Sequence, residues 1–217
     1  MKKILSTLFA ASLMLLGTEA FAQFSVNAGY LNSTQSFKNE KSENSNGAYF
    51  GASYNIGIAG GFGIAPGVYY SLIADRRFES AGLFNWLVGT SDVRFREHAV
   101  NVPIYLNWGA DLARDSRFFV YAGPTLQYGL SSKYTSKTSL GIPRVGTVVD
   151  DYTFNNYDNE LLEQNRFNVY LGGGIGINVA GIQVTVGYDY GMMNLYKGDD
   201  ATQSKRSNLK IGLGFAF

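Results

Sequence analysis

Large apolar residues alternate with small or polar residues along eight separate segments of the chain. In the segment Asn208–Phe217, every second residue is a large apolar one and the residues between them are Lys, Gly and Ala. A period of two indicates β-strands with one apolar face. We predict strands at Phe24–Leu31, Ala48–Ile56, Phe62–Leu72, Arg96–Trp108, Phe118–Leu130, Phe167–Val179, Ile182–Met192 and Asn208–Phe217.

The other face of these segments is small or polar and carries almost no charge. A strand of a water-soluble sheet would place Lys, Glu and Arg on its solvent face, whereas the narrow interior of a small barrel accepts Gly, Ser and Asn. Short connections alternate with long polar ones at 32–47, 73–95, 131–166 and 193–207. The pattern predicts an all-β fold, a closed eight-stranded antiparallel up-and-down transmembrane β-barrel with four long outer connections.

The first 22 residues are typical of a secretory signal peptide. Lys2 and Lys3 precede an apolar run of about a dozen residues, which is too short to span a bilayer. Ala20 and Ala22 supply the small residues that a signal peptidase requires. We therefore predict a signal peptide at 1–22, a single barrel domain at 23–217 and a location in the cell outer membrane.

Composition agrees with this assignment and narrows the partners. Removing residues 1–22 lowers the basic side chains from 18 to 16 and the acidic ones from 17 to 16, so the mature chain is nearly neutral. A neutral chain argues against a nucleic-acid partner. The sequence has no cysteine, which excludes disulfides and thiolate metal sites, and it is rich in Tyr, Phe and Gly. Outer-membrane lipid and lipopolysaccharide are the expected surroundings.

Three stretches carry a family resemblance. They are Ala65–Tyr70, Asn101–Leu106 and Ala122–Gly129, and the Gly172–Gly176 run and Phe217 match as well. With these residues the chain resembles the small outer-membrane β-barrel proteins of Bacteroidota, the group related to the gliding and secretion protein PorT. The resemblance implies the barrel fold and the outer-membrane location. It implies no catalytic residue, and it adds an accessory role in protein secretion as one alternative.

Two charges fall on inward faces, and two aromatic residues end the last predicted strand. A symmetric hairpin places Asp189 and Lys210 opposite each other, where a lumenal ion pair would help to fill a narrow barrel. The alternative is an ion-conducting site. We expect Phe215 and Phe217 to face lipid and to mark the strand for the barrel-assembly machinery.

Other candidate chemistry is weaker. His98 is the one histidine and would face lipid near the outer rim, as a lipid A-modifying enzyme requires, but no serine motif lies near it in sequence. The glycines at 172–176 lie inside an alternating strand, so they predict space for lumenal side chains and not a phosphate-binding loop. Asp150, Asp151 and Asp158–Glu160 lack the spacing of an EF-hand loop. We predict no catalytic, cofactor or metal site.

Pro66, Pro103 and Pro124 fall at similar heights on three neighbouring predicted strands. Each removes one backbone donor from a sheet that has no free edge. We therefore expect a local band of β-bulges there.

Four functions fit this sequence. The first is a structural or surface-binding protein that uses its long outer loops to contact a ligand or a protein partner. The second is a narrow passage for small hydrophobic molecules. The third is an accessory role in secretion, and the fourth is lipid A chemistry at His98.

Overall fold

The computed structural model describes residues 22–37, 42–84, 87–142, 146–158, 164–196 and 204–217. The predicted signal peptide therefore lies, except for Ala22, outside the described residues. Within them the chain forms nine β-strands and a short 3-10 helix at Asn156–Asp158. The strands are β1 Ala22–Phe37, β2 Glu43–Gly57, β3 Phe62–Phe84, β4 Leu87–Ala113, β5 Ser116–Ile142, β6 Gly146–Asn155, β7 Phe167–Val179, β8 Ile182–Gly191 and β9 Ser204–Ala216.

Eight of these strands close into a ring. Every pair is antiparallel, β1 pairs with both β2 and β9, and the pairing of β4 with β5 completes the circle. The predicted eight-stranded barrel is thus confirmed. The ninth strand, β6, lies outside the ring and pairs with the outer part of β5. None of the described residues belongs to a helix long and apolar enough to cross a membrane.

The predicted alternation sets the two faces of the barrel wall. Outward residues are large, apolar and exposed, as lipid contact requires. Inward residues such as Ser25, Asn27, Thr125, Gln127 and Asn168 are buried and polar. The lipid-facing set includes Phe24, Val26, Tyr30, Phe50, Val68, Leu106, Trp108, Tyr128, Leu171, Ile175, Tyr188, Tyr190, Ile211, Leu213, Phe215 and Phe217.

All four predicted long connections are in part strand. The β3–β4 hairpin continues to the pair Phe84–Leu87, and the β1–β2 ladder continues to Gln35–Glu43. The connection predicted at 131–166 contains β6, and β9 begins at Ser204, inside the connection predicted at 193–207. Alternation failed to show these extensions because both faces of a strand outside the membrane lie in water, so neither face needs to be apolar.

The expected band of bulges at the prolines is wrong. The register is the same on both sides of Pro66, Pro103 and Pro124, although the ladder skips two residue pairs beside each of them. A proline removes one hydrogen bond, and the intact pairs above and below hold the strands in place. The register shifts instead at Gly82/Phe84, His98/Ala99 and Asp111/Ala113.

Candidate functional site

The middle of the lumen holds an ion pair between the neighbouring strands β8 and β9, embedded among tyrosines. Lys210 Nζ lies 2.5 Å from Asp189 Oδ2, and the two side chains are 20% and 5% exposed. The residues are diagonal neighbours and not directly opposite, since Asp189 pairs with Asn208 and Lys210 pairs with Gly187. The ammonium also donates to the Tyr105 hydroxyl at 3.2 Å. The charges of Lys210 and Asp189 therefore offset each other inside the lumen.

A second ion pair closes the outer end of the lumen. Arg206 Nη1 donates to Glu97 Oε1, and the two side chains are 4% and 1% exposed. Gln164 donates to the other carboxylate oxygen at 3.2 Å and accepts from Ser132 Oγ at 3.1 Å. This pair was not predicted from the sequence, because Arg206 falls in the connection predicted at 193–207. The alternation along β4 did indicate that Glu97 points into the lumen, since it lies two residues before the inward-facing Ala99.

Tyr157, in the 3-10 helix, covers the outer pair from above and is 6% exposed. Burial, followed by the negative charge of Glu97, raises the pKa of its phenol above the ordinary value. The hydroxyl therefore stays protonated at every physiological pH. Two layers of buried polar groups, four residues apart on β9, separate the periplasmic part of the lumen from the outside.

Large aromatic side chains fill the lumen where the sequence suggested only small and polar ones. Tyr49, Tyr69, Tyr105 and Tyr121 point inward and line a cavity of about 140 Å³, whose wall also includes Lys210 and Asp189. Inward-facing glycines on nearby strands make the space for them. A Cβ at Gly174 would lie 2.5 Å from the Tyr121 hydroxyl. The glycine run in β7 thus serves packing, as predicted, and no helix follows it.

Outside the lipid-facing band, β3, β4 and β5 continue and β6 pairs with β5, so that four strands form a projecting sheet. We use this name for residues 74–84, 87–96, 133–142 and 146–155, which belong to β3, β4, β5 and β6. The face that continues the lipid-facing wall is charged. Asp92 accepts hydrogen bonds from Arg76 at 2.9 Å and from Arg94 at 2.7 Å, and these bonds hold its pKa below the ordinary value.

The opposite face of the projecting sheet carries an aromatic row, which consists of Phe95, Tyr134, Tyr152 and Phe154. Phe95, Tyr134 and Phe154 are directly opposite one another on three neighbouring strands. The ring centroids of Tyr134 and Phe154 are 5.1 Å apart, and those of Tyr152 and Phe154 are 5.3 Å apart. Tyr152 is 60% exposed. An aromatic surface thus continues the inner wall of the barrel beyond its mouth.

His98 lies on the outward face of β4, half-buried, at the outer end of the lipid-facing band. Its Nδ1 hydrogen-bonds to the hydroxyl of Tyr70. The neighbouring Glu97 points inward to Arg206. No serine hydroxyl or carboxylate of the described residues hydrogen-bonds to His98, so the groups that would assist it as a catalytic base are not assembled around it.

The remaining candidates have local roles. Asp158 pairs with Arg166 at 2.7 Å and accepts a hydrogen bond from Asn155, while Asp150 and Asp151 lie in β6. Asn159 and Glu160 lie outside the described residues. Within the part of the chain that the structure describes, no group of three or more His, Asp or Glu side chains could hold a metal ion.

Phe217 lies where β9 meets β1. Its amide donates to the carbonyl of Phe24 at 2.8 Å, and the two ring centroids are 6.1 Å apart. Phe215 packs against it with a centroid distance of 4.9 Å. Both rings face outward at the seam between the first and last strands.

The chain was compared with known proteins. The model of the outer membrane protein beta-barrel domain family matches residues 14–197. No curated protein sequence gives a significant match. Among solved structures, Ail, the attachment invasion locus protein of Yersinia pestis, crystallised with the heparin analogue sucrose octasulfate, is 14% identical with a TM-score of 0.43, over 90% of this chain and 99% of that one.

Two further structures are similar at the same low level. Neisserial surface protein A is 13% identical with a TM-score of 0.45, over 89% of this chain and 97% of that one. The outer membrane enzyme PagL is 12% identical with a TM-score of 0.34, over 88% of this chain and 98% of that one.

Proposed function

The chain belongs to the outer membrane protein β-barrel domain family, and from that premise we propose that it is a cell-surface binding protein whose barrel serves as a closed anchor. The projecting sheet is the binding element, and the partner is another protein. Cleavage after Ala22 gives the mature chain. The barrel has no catalytic role, and the barrel-assembly machinery recognises its last strand.

The aromatic row carries this proposal. Tyr and Phe are enriched in the buried centres of protein interfaces, and clustered aromatic residues on a water-exposed sheet mark such a site. Arg77 lies on the same face, one strand away from the row, and pairs with Glu43 at 2.7 Å. The combination of an aromatic centre with a charged rim is the ordinary anatomy of a protein-binding surface.

Photo-crosslinking tests the proposal with a matched control on the same strand. Tyr152 and Thr153 are adjacent and exposed, and they point to opposite faces of β6. A photoreactive phenylalanine at position 152, in intact cells, is expected to give a discrete protein adduct, and the same residue at 153 is expected to give none. Identical adducts from both positions, or none from 152, would contradict the proposal. A carbohydrate adduct at 152 would assign the surface to a glycan instead.

The passage alternative is weaker because two layers of polar contacts lie across the lumen, the Glu97–Arg206 pair and the link from Lys210 to Tyr105, whereas a hydrophobic solute needs a continuous apolar path. The accessory role in secretion and the PorT-like place within Bacteroidota rest on the sequence resemblance. A lipid A-modifying activity would need a serine hydroxyl on the His98 ring, where Tyr70 is the observed partner.

A further inference from the structure

Two exposed cations on the outward face have no acidic partner. Arg96 on β4 and Lys133 on β5 are directly opposite each other across the ladder, so their side chains leave the same face. Among the described residues, neither forms an ion pair or a hydrogen bond. Adjacent like charges repel, and their pairing is unfavourable in isolation. The arrangement is therefore one that an external anion would stabilise.

The nearby arginines have acidic partners, which sets this pair apart. Arg76 and Arg94, one row further out on the same face, share the carboxylate of Asp92, so one of their two positive charges is offset. On the opposite face Arg77 pairs with Glu43. Within the described residues of these strands, the strongest uncompensated positive charge at this end of the barrel is therefore that of Arg96 and Lys133. An anion from outside would bind there first.

The pair also lies at a defined height above the lipid-facing wall. Arg96 is two residues beyond His98 and four beyond Val100 along β4. At about 3.3 Å per residue and a tilt of roughly 40°, these separations correspond to about 5 Å and 10 Å along the membrane normal. The polar headgroup layer on each side of a bilayer is about 5–8 Å thick. The cations therefore lie at headgroup height.

The rows below the cations repeat the order of groups in a phosphorylated lipid. The row under Arg96 and Lys133 holds Leu72, His98 and Ser131, of which His98 and Ser131 can form hydrogen bonds. The next row holds Tyr70, Val100 and Tyr128, and Tyr128 is 52% exposed. Positive charge, hydrogen-bonding groups and apolar surface follow one another from the outside inward.

We propose that Arg96 and Lys133 form a binding site for the phosphate of an outer-leaflet lipid, with His98 against the polar part of the headgroup and the wall below against the acyl chains. The guanidinium can contact phosphate through two parallel hydrogen bonds, and the ammonium adds a point charge. The site lies on the opposite face of the sheet from the aromatic row, so it is independent of the surface-binding proposal. It holds the protein at a fixed depth in the leaflet.

The site can be tested with bisphosphorylated lipid A and the folded protein in a neutral detergent. Native mass spectrometry measures how many lipid molecules each protein binds. R96Q/K133Q is expected to weaken binding roughly 10- to 30-fold, given the usual contribution of two basic residues at an anionic surface. The control R114Q/K137Q also removes one arginine and one lysine. Arg114 lies in the periplasmic turn after β4, and Lys137 lies further out on β5 than Lys133. This control is expected to bind as tightly as the wild type.

Three results would overturn the proposal. One is equal loss in R96Q/K133Q and in the control, and another is equally tight binding of dephosphorylated lipid A. The third is that millimolar inorganic phosphate displaces the lipid and itself stays bound to the protein, which would indicate a site for free anions. The charge-conserving variant R96K/K133R should keep most of the affinity. If R96Q/K133Q fails to fold, the single variants R96Q and K133Q are each expected to weaken binding roughly fivefold.

Discussion

Lys210 and Asp189 meet inside the barrel although they are not directly opposite each other on the β8–β9 ladder, and their charged atoms lie 2.5 Å apart. A diagonal contact of this kind depends on the length of the lysine side chain, which reaches across one ladder position. Tyr105 contacts both partners, so the ion pair is also hydrogen-bonded. The fold thus places its mid-lumen charges in one closed cluster.

Removing one partner of this pair should destabilise the barrel. Lys210→Glu places two carboxylates together inside the lumen, and breaking a buried pair costs roughly 3–5 kcal/mol. The measurement is heat-modifiability, the shift on a gel between folded and unfolded barrel, followed against temperature. The double variant D189N/K210M, which leaves no unpaired charge, should be less destabilised than K210E. An unchanged transition in K210E would count against the pairing.

The lumen should not conduct ions. In planar bilayers the wild-type protein is expected to give no stable conductance, because the Lys210–Asp189 pair with Tyr105 and the Glu97–Arg206 pair fill the lumen at two heights. Removing either pair alone, with D189A/K210A or E97A/R206A, leaves the other in place. Openings are expected only when both are removed. Steady conductance in the wild type would favour the passage alternative.

A glycine that faces the lumen, Gly187, should not tolerate replacement by alanine. At Gly187 a Cβ would clash with the Tyr121 hydroxyl, and the next atoms are 3.3 Å away. Gly187→Ala is expected to destabilise the barrel by roughly 1–3 kcal/mol, as overpacking usually does. Tyr121→Phe removes the clashing oxygen, so G187A/Y121F should recover most of the loss in the same heat-modifiability assay. Absence of recovery would place the cost in the backbone of β8.

Phe217→Ala should slow assembly of the barrel. The substitution removes the ring contacts with Phe24 and Phe215 at the seam and keeps the backbone hydrogen bond. We expect a lower amount of folded protein in the outer membrane, measured by surface labelling. The lipid-facing variant Leu213→Ala, two strand rows higher, serves as the control. Equal surface levels of F217A and wild type would contradict an assembly role.

Acid should loosen the projecting sheet. Hydrogen bonds from Arg76 and then Arg94 lower the pKa of Asp92, so this carboxylate stabilises the folded sheet above its unfolded pKa of about 4. That contribution is lost as the pH falls through the folded pKa. The protection of amide hydrogens in β3 and β4, measured as exchange relative to the intrinsic rate at each pH, should therefore fall at acid pH in the wild type. In D92N the protection should already be lower at neutral pH and should change less with acid.

The membrane-facing half of the structure could be predicted from the sequence, because lipid imposes a strict alternation. Val26 and Leu213 lie on the outward face for that reason. The inward position of Tyr69 and Tyr121 was not predicted, since tyrosine occurs on both faces of such a wall. Only the inward-facing glycines near them indicate that the lumen has room for the rings. The Glu97–Arg206 pair was missed because Arg206 lies in the outer part of β9, where both faces of the strand are polar and alternation predicts no strand.

Strands β3, β4 and β5 run without a break from the barrel wall into the projecting sheet. Force applied at the tip of the sheet would therefore be transmitted directly to the membrane-embedded ladders. A pull along the strands loads many hydrogen bonds in shear at once, whereas a sideways pull would peel them one at a time. The shared strands make the projecting sheet and the barrel a single mechanical element.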